Sequence, residues 1–418
     1  MSRLTISLLT LSVLVTAALC VEKARFDFYR VYEVTASDEN HLKIFQQILD
    51  YPDGYKFTTN PQMVIGSTAQ LVVPPHKFGE WSEWVENFKL DIKLLSNNFQ
   101  EMIDKEDAGN QRQRRTGVYD WSTYRRYNET YAWMDSLAAS RPNDISTFIV
   151  GTSYEGRVIK GLRVNIGNVA GKKSIFFEGN IHANEWIGSH TTTYIMNQLL
   201  TSNDTDVKEL LETFDWWFLP ILNIDGFEYT WNVDRTWRKT RRPTQNPLCH
   251  GADPNRNWDV LWGGFGGSNL PCSSGYYGDY AFSEVETKQF SEFLATVPNF
   301  FGYISFHSHG RLIMTPYAYT QVPIENLAII NEIGAKARDA IPAFRGVNYR
   351  LGKISDFFGL VAGSSVDYVA INQKPQLIYC YELSNNHILP NEEILATGQE
   401  LFASVKTIFT EAIKLGLV

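Results

Sequence analysis

Over its last three quarters the chain alternates short β-branched or aromatic runs with longer stretches of helical apolar spacing, and few folds tolerate that rhythm. Runs at 146–150, 158–166, 174–178, 216–222, 301–306 and 376–382 read as strands, and 190–200, 283–296 and 392–415 read as helices. Strands joined through helical crossovers run in the same direction. The pattern therefore predicts an α/β domain, a mixed and mostly parallel sheet with helices on both faces. Upstream, 26–34 and 70–73 read as strands and 39–50 and 79–90 as helices, a separate α+β module of about 95 residues.

The two modules meet at residues 101–115, where an acidic stretch, Glu101 to Asp107, gives way to Arg112-Gln113-Arg114-Arg115. Such a segment reads as an exposed, weakly held connection that trypsin-like or furin-like proteases cut. At the other end, Arg3 precedes an apolar stretch from Leu4 to Leu19 that closes on Ala18-Leu19-Cys20. At about 16 residues it is short of a membrane span and fits a cleaved signal peptide, residues 1–20. The expected protein is secreted, extracellular and free of a membrane anchor. That compartment permits disulfides, and Cys249 and Cys272 are close enough in sequence to close a loop worth about 3 kcal/mol. Cys380, inside the apolar run 377–381, reads as a small buried hydrophobe. The sequons at Asn128 and Asn203 are glycosylation candidates.

Composition narrows the function classes. The 418 residues are 44% hydrophobic and 20% charged, which excludes a disordered or fibrous chain. The net charge of −8 argues against nucleic acid as a partner, because phosphate neutralisation needs a surplus of Lys and Arg.

The chemistry concentrates where strands stop. His182 and Glu185 follow the strand at 174–178, and a spacing of three in a helix-like turn lets both face one point, as two ligands of one metal ion must. His307 stands where the strand at 301–306 ends, and Glu382 closes the strand at 376–382. Two His and one Glu form a catalytic zinc set with an open position, and a carboxylate beside it can move protons. Open α/β sheets place their sites beyond the carboxyl ends of the strands, which is where all four residues fall.

Several further motifs accompany them: Glu155-Gly156-Arg157, Gly179-Asn180-Ile181-His182, Asn223-Ile224-Asp225-Gly226, Arg235-Thr236-Trp237-Arg238-Lys239-Thr240-Arg241, Asp253-Pro254-Asn255-Arg256-Asn257-Trp258, Ser283-Glu284-Val285-Glu286-Thr287 and Tyr381-Glu382-Leu383. Together these motifs resemble the A/B-type zinc metallocarboxypeptidases over residues 21–418. The resemblance implies a carboxypeptidase-like α/β fold behind a small ferredoxin-like α+β prosegment, residues 21–115, that covers the cleft of the catalytic domain, residues 116–418. It implies one Zn²⁺ per chain on His182, Glu185 and His307, with Glu382 as general base and Arg238 steadying the oxyanion. Asn255 and Arg256 resemble the pair that grips a substrate's terminal carboxylate, a task suited to the planar fork of Arg. Met314, Ala318, Ile354, Val366 and Cys380 match the side-chain pocket; none is charged, so aliphatic or aromatic C-terminal residues are the expected preference. The implied partners are peptide or protein C-termini and an activating protease, with the enzyme a monomer.

This chain departs from the family pattern at three places. Gly359 falls where a substrate-capping Tyr is usual, Asn184 replaces an Arg, and His309 replaces a Tyr. Those changes leave a second reading open, a zinc-loaded member that binds peptides or a partner and turns over slowly. A third, a zinc amidohydrolase of small acylated amino acids, shares the ligand spacing but not the prosegment or the Asn255-Arg256 pair.

Overall fold

The computed structural model describes residues 22–58, 61–114, 119–341 and 347–418. The signal-peptide reading therefore lies outside the described residues, as do Arg115 and the side chains of residues 112–114.

The N-terminal module runs β1 (Arg30–Thr35), α1 (Glu39–Asp50), β2 (Lys56–Phe57), β3 (Thr68–Val73), α2 (Phe78–Phe88) and β4 (Asp91–Ser96). Its sheet has the order β2-β3-β1-β4 with every pair antiparallel, the ferredoxin-like arrangement. Asp38 caps α1 by accepting from the backbone N–H groups of Asn40 and His41. Strand alternation divides the sheet's two faces. Tyr32, Leu71 and Val73 pack with Phe45, Ile48 and Trp81 of the helices, whereas Val31 and Val72 join Phe26, Phe99, Ile103 and Ile388 in a second cluster. Because Ile388 belongs to the larger domain, that second cluster fastens the two modules together.

Residues 101–114 differ from the sequence expectation of a loosely held connection: they belong to α3 (Phe99–Arg114). Phe99, Ile103, Glu106 and Asn110 recur at helical spacing and are all buried. Two of the four are polar, which hid the apolar period. Their burial is compensated, since Glu106 pairs with Arg235 and Asn110 Oδ1 accepts from the Tyr124 backbone N–H at 3.0 Å.

The larger domain is built on an eight-stranded sheet of order β11-β10-β12-β9-β7-β8-β6-β5. These strands are β5 (Ile145–Thr152), β6 (Val158–Val164), β7 (Lys173–Gly179), β8 (Phe214–Leu219), β9 (Phe300–Ser308), β10 (Leu312–Thr315), β11 (Arg350–Lys353) and β12 (Leu377–Leu383). The central four, β12, β9, β7 and β8, are mutually parallel, and antiparallel pairs lie outside them. Helices cover both faces, so β7, β8 and β9 are buried almost throughout and read as continuous apolar runs. Around them stand α4 (Tyr127–Ser140), α5 (Trp186–Thr201), α6 (Thr205–Thr213), α7 (Ile224–Asn232), α8 (Val285–Leu294), α9 (Leu327–Asp339), α10 (Ile354–Phe358), α11 (Ser365–Asn372) and α12 (Asn391–Lys414). Cys249 and Cys272 form a disulfide, and Cys380 is free and buried. Asn128 and Asn203 are both exposed. No described helix is long and apolar enough to cross a membrane.

A buried carboxyl away from the cleft makes the fold's stability pH-dependent. Burial pushes Glu286 up to about 7, with Glu284 and Asp225 adding to the rise against hydrogen bonds from the Tyr154 N–H and its own. A raised carboxyl stabilises the fold below its unfolded value and loses that contribution as pH rises through 7. Glu286→Gln keeps an acceptor for Tyr154 and removes the titration. Urea unfolding at pH 4 to 8 is expected to show the variant gaining up to about 3 kcal/mol on the wild type across that range. A pH-independent difference between the two proteins counts against the assignment.

Candidate metal centre and substrate cleft

Because β7, β9 and β12 are parallel neighbours, their carboxyl ends coincide. The register places Glu382 opposite His307, and Gly179 opposite Phe306. At the end of β7 the chain makes a tight turn before α5. Gly179 is required there, since a Cβ would stand 2.9 Å from both Pro220 O and Thr192 Oγ1. Asn180 follows with φ of 51°, a left-handed conformation that Asn tolerates. Its side chain shapes the turn: Nδ2 donates to the carbonyls of His182 and Ala183, and Oδ1 accepts from Ser189 N–H at 2.8 Å. Asn223, which caps α7, braces the other side by donating to the carbonyls of Ile181, Arg238 and Lys239.

The turn aims His182 and Glu185 at His307. Their ligating atoms lie within 4.8 Å of one another, and all three residues are buried. The two Nδ1 atoms stand 3.1 Å apart, with Glu185 Oε1 2.9 Å from His182 Nδ1 and Oε2 3.2 Å from His307 Nδ1. Buried Oε2 atoms of Glu185 and Glu382 have no hydrogen-bond partner. Two imidazole nitrogens, a carboxylate and unsatisfied buried oxygens make a donor set that fits a zinc ion. Burial pushes the Glu382 carboxyl above its usual range; Glu185 adds to this, while His307, Arg238 and Arg256 pull the other way.

Arg238 borders the same space, with Nη2 2.7 Å from His182 Nε2 and Nη1 3.4 Å from Glu185 Oε1. Asp253 ties these groups together. Its Oδ2 accepts from Arg238 Nε at 3.2 Å and Nη2 at 2.9 Å, while Oδ1 lies 3.2 Å from His182 Nε2 and accepts from the Asn255 N–H. Burial opposes the charge on Asp253, but Arg238 and His182 hold its carboxyl well below the usual range. In the sequence Asp253 stands only as one member of the motif at 253–258. What marks it is position, three residues before an Arg and immediately before a Pro.

Beyond these groups opens a cavity of about 350 Å³. Asn255 and Arg256 border it, the latter with Nε and Nη1 fixed on the carbonyls of Gly266 and Asn255. Met314, Ala318, Ile354, Val366 and Cys380 border it too, drawn from β10, the loop after it, α10, α11 and β12. Glu185 and Glu382 are the only carboxylates on its described wall. Sequence reasoning did not single out Asp367, which accepts from the backbone N–H groups of Ala318 and Tyr319 and so fastens two walls of the cavity.

The three departures are distributed differently. His309 and Gly359 border the cavity, whereas Asn184 is buried and donates to Thr236 O at 3.2 Å. Gly359 has φ 71° and ψ −165°, a region open essentially to Gly alone, and its Cβ position lies 3.7 Å from Met63 O. A tyrosine there would need another loop path. Gln46, Leu49, Pro61 and Met63 of the N-terminal module also border the cavity, so this module stands over the site.

Comparison with known proteins agrees with that arrangement. The family model described as zinc carboxypeptidase matches residues 130–404, and the one described as carboxypeptidase activation peptide matches residues 32–106. A zinc carboxypeptidase A 1 from Anopheles gambiae is 38% identical over 398 residues, covering 94% of this chain and 91% of its own length. Carboxypeptidase A1 from Bos taurus is 32% identical over 415 residues, covering 96% and 97%. The crystal structure of the carboxypeptidase A from Helicoverpa armigera superposes with a TM-score of 0.84 at 25% identity, covering 93% of this chain and 99% of that one. The chain belongs to the zinc carboxypeptidase family. Its N-terminal module is the activation peptide, or prosegment, of that family.

The Asp253 contacts carry a prediction about metal binding. Asp253→Asn leaves His182 in place but weakens the acceptor that orients its ring. Zinc affinity, measured by competition with a chelator, is expected to fall about 10- to 100-fold. An unchanged affinity removes Asp253 from the account.

Proposed function

We propose that the chain is a secreted zymogen, cut after Arg115, whose catalytic domain hydrolyses the last peptide bond of peptides and proteins. One observation supports this reading above the others: the Asn255–Arg256 pair borders the same cavity as the ligand triad and Glu382. A guanidinium with its plane fixed by two carbonyls suits a terminal carboxylate, and an internal peptide bond has none to offer. Zinc held by His182, Glu185 and His307, one ion per chain, supplies a Lewis acid and a more acidic water when bound. Glu382 takes a proton from the attacking water and passes it to the leaving amine nitrogen. Arg238, braced by Asp253, offers its N–H groups to the carbonyl oxygen as negative charge develops there. The uncharged wall of Met314, Ala318, Ile354, Val366 and Cys380 favours aliphatic or aromatic C-terminal side chains, because burying a Lys or Arg against it leaves a charge unpaired. The prosegment over the cleft explains the need for a trypsin-like or furin-like activating protease, and the enzyme works as a monomer outside the cell.

Cutting after Arg115 and supplying N-blocked dipeptides tests the reading. Free Phe or Leu is expected from the acid forms and none from the C-terminal amides; release from neither sinks the proposal. Glu382→Gln is expected to keep its zinc and its fold while kcat falls about 10²- to 10⁴-fold. A variant with near-normal kcat would falsify the base assignment.

A further inference from the structure

Besides the Arg238 contacts to His182 and Glu185, three hydrogen bonds accepted by backbone carbonyls tie the ligand-bearing turn to the loop 234–238. Ala183 N–H donates to Arg238 O at 3.0 Å, Asn184 Nδ2 to Thr236 O at 3.2 Å, and Arg235 Nη1 to Asn184 O at 2.8 Å. Arg235 does more than close one bond. Its guanidinium lies 3.7 Å from the ring centroid of Trp186, so a single side chain grips the residues on both sides of the ligand Glu185. Trp186 is fixed from behind by Trp231, stacked at 3.9 Å, and through Nε1 by Thr230 Oγ1 at 2.8 Å.

The loop is in turn held from outside by the prosegment, at two points. Lys56 Nζ reaches Asp234 Oδ2 at 2.8 Å and Thr236 Oγ1 at 2.9 Å. Glu106 of α3 takes Arg235 in a two-pronged pair, Nε to Oε2 at 2.6 Å and Nη2 to Oε1 at 3.0 Å, with both side chains almost wholly out of solvent. A paired, buried guanidinium stays where it is, and one that has lost its carboxylate is driven toward water.

We propose that Arg235 is a positioning residue for the metal-bearing turn, and that Glu106 of the prosegment locks it, so that zinc is held more firmly in the zymogen than after activation. This rests on the reading of His182, Glu185 and His307 as zinc ligands and goes beyond it by coupling them to the prosegment. Arg235 touches neither ligand atoms nor the cavity wall, so its influence passes through Asn184 and Trp186.

Zinc release from the uncut, zinc-loaded full chain into excess chromogenic chelator reads the coupling directly, with the prosegment still shielding the cleft. Glu106→Gln is expected to release zinc about 10-fold faster than wild type, and Arg235→Met at least as fast. Arg235→Lys keeps the charge but loses the fork, and is expected to fall between. Lys77→Met, whose partners Asp53 and Glu80 lie within the prosegment, serves as control and should match wild type. Equal rates for wild type and Glu106→Gln, or equal acceleration by Lys77→Met, overturn the coupling while leaving the ligand assignment intact. Should Glu106→Gln fail to fold, Arg235→Lys decides alone, a wild-type rate overturning the proposal. A wild-type chain that takes up no zinc overturns both the coupling and the ligand assignment.

Discussion

Parallel pairing of β7, β9 and β12 is the constraint on which the rest of the molecule depends. Parallel strands end at one edge, and these three deliver His182 with Glu185, His307 and Glu382 to that edge from positions up to 200 residues apart in sequence. Parallel pairing also demands helical cover on both faces, so the strands beneath the site are buried almost throughout. A site of buried, partly unsatisfied polar atoms survives only on such a base, because each of those atoms opposes folding until a ligand satisfies it.

Around that edge the chain uses Asn and Asp as joints. Asn180 and Asn223 bond the backbone of the ligand turn from two sides, and Asp253 joins His182, Arg238 and Asn255. These short side chains carry donors and acceptors close to the main chain, which suits them to fixing turns that glycine alone would leave loose. The prosegment extends the same bracing from outside, through Lys56 and Glu106 on the loop that carries Arg238.

Much of this was legible in the sequence wherever burial follows apolar spacing. The six strand-like runs of the larger domain correspond to β5 to β9 and β12, and His182, Glu185, His307 and Glu382 stand where those runs stop. The readings at 39–50 and 79–90 likewise correspond to α1 and α2. What escaped was structure held by polar contacts. Helix α3 buries Glu106 and Asn110 beside Phe99 and Ile103, and no hydrophobic period announces a face that is half polar. Asp253 and Asp367 escaped for the same reason, since an acid's partner is a matter of tertiary placement. Short strands such as β2, β10 and β11 are too brief to show alternation. At Gly359 the missing aromatic is legible in the sequence, but only the backbone angles reveal that the loop follows a path made for glycine.

The disulfide between Cys249 and Cys272 spans a separation of 23 residues, and within it lie Asp253, Asn255 and Arg256. One covalent bond thus closes the segment that both braces the turn of His182 and Glu185 and borders the cavity. With the bond reduced, that segment regains the freedom of an open chain. The placing of Asn255 and Arg256 at the cavity is therefore tied to the redox poise of the surroundings, a dependence that the strands delivering His307 and Glu382 do not share.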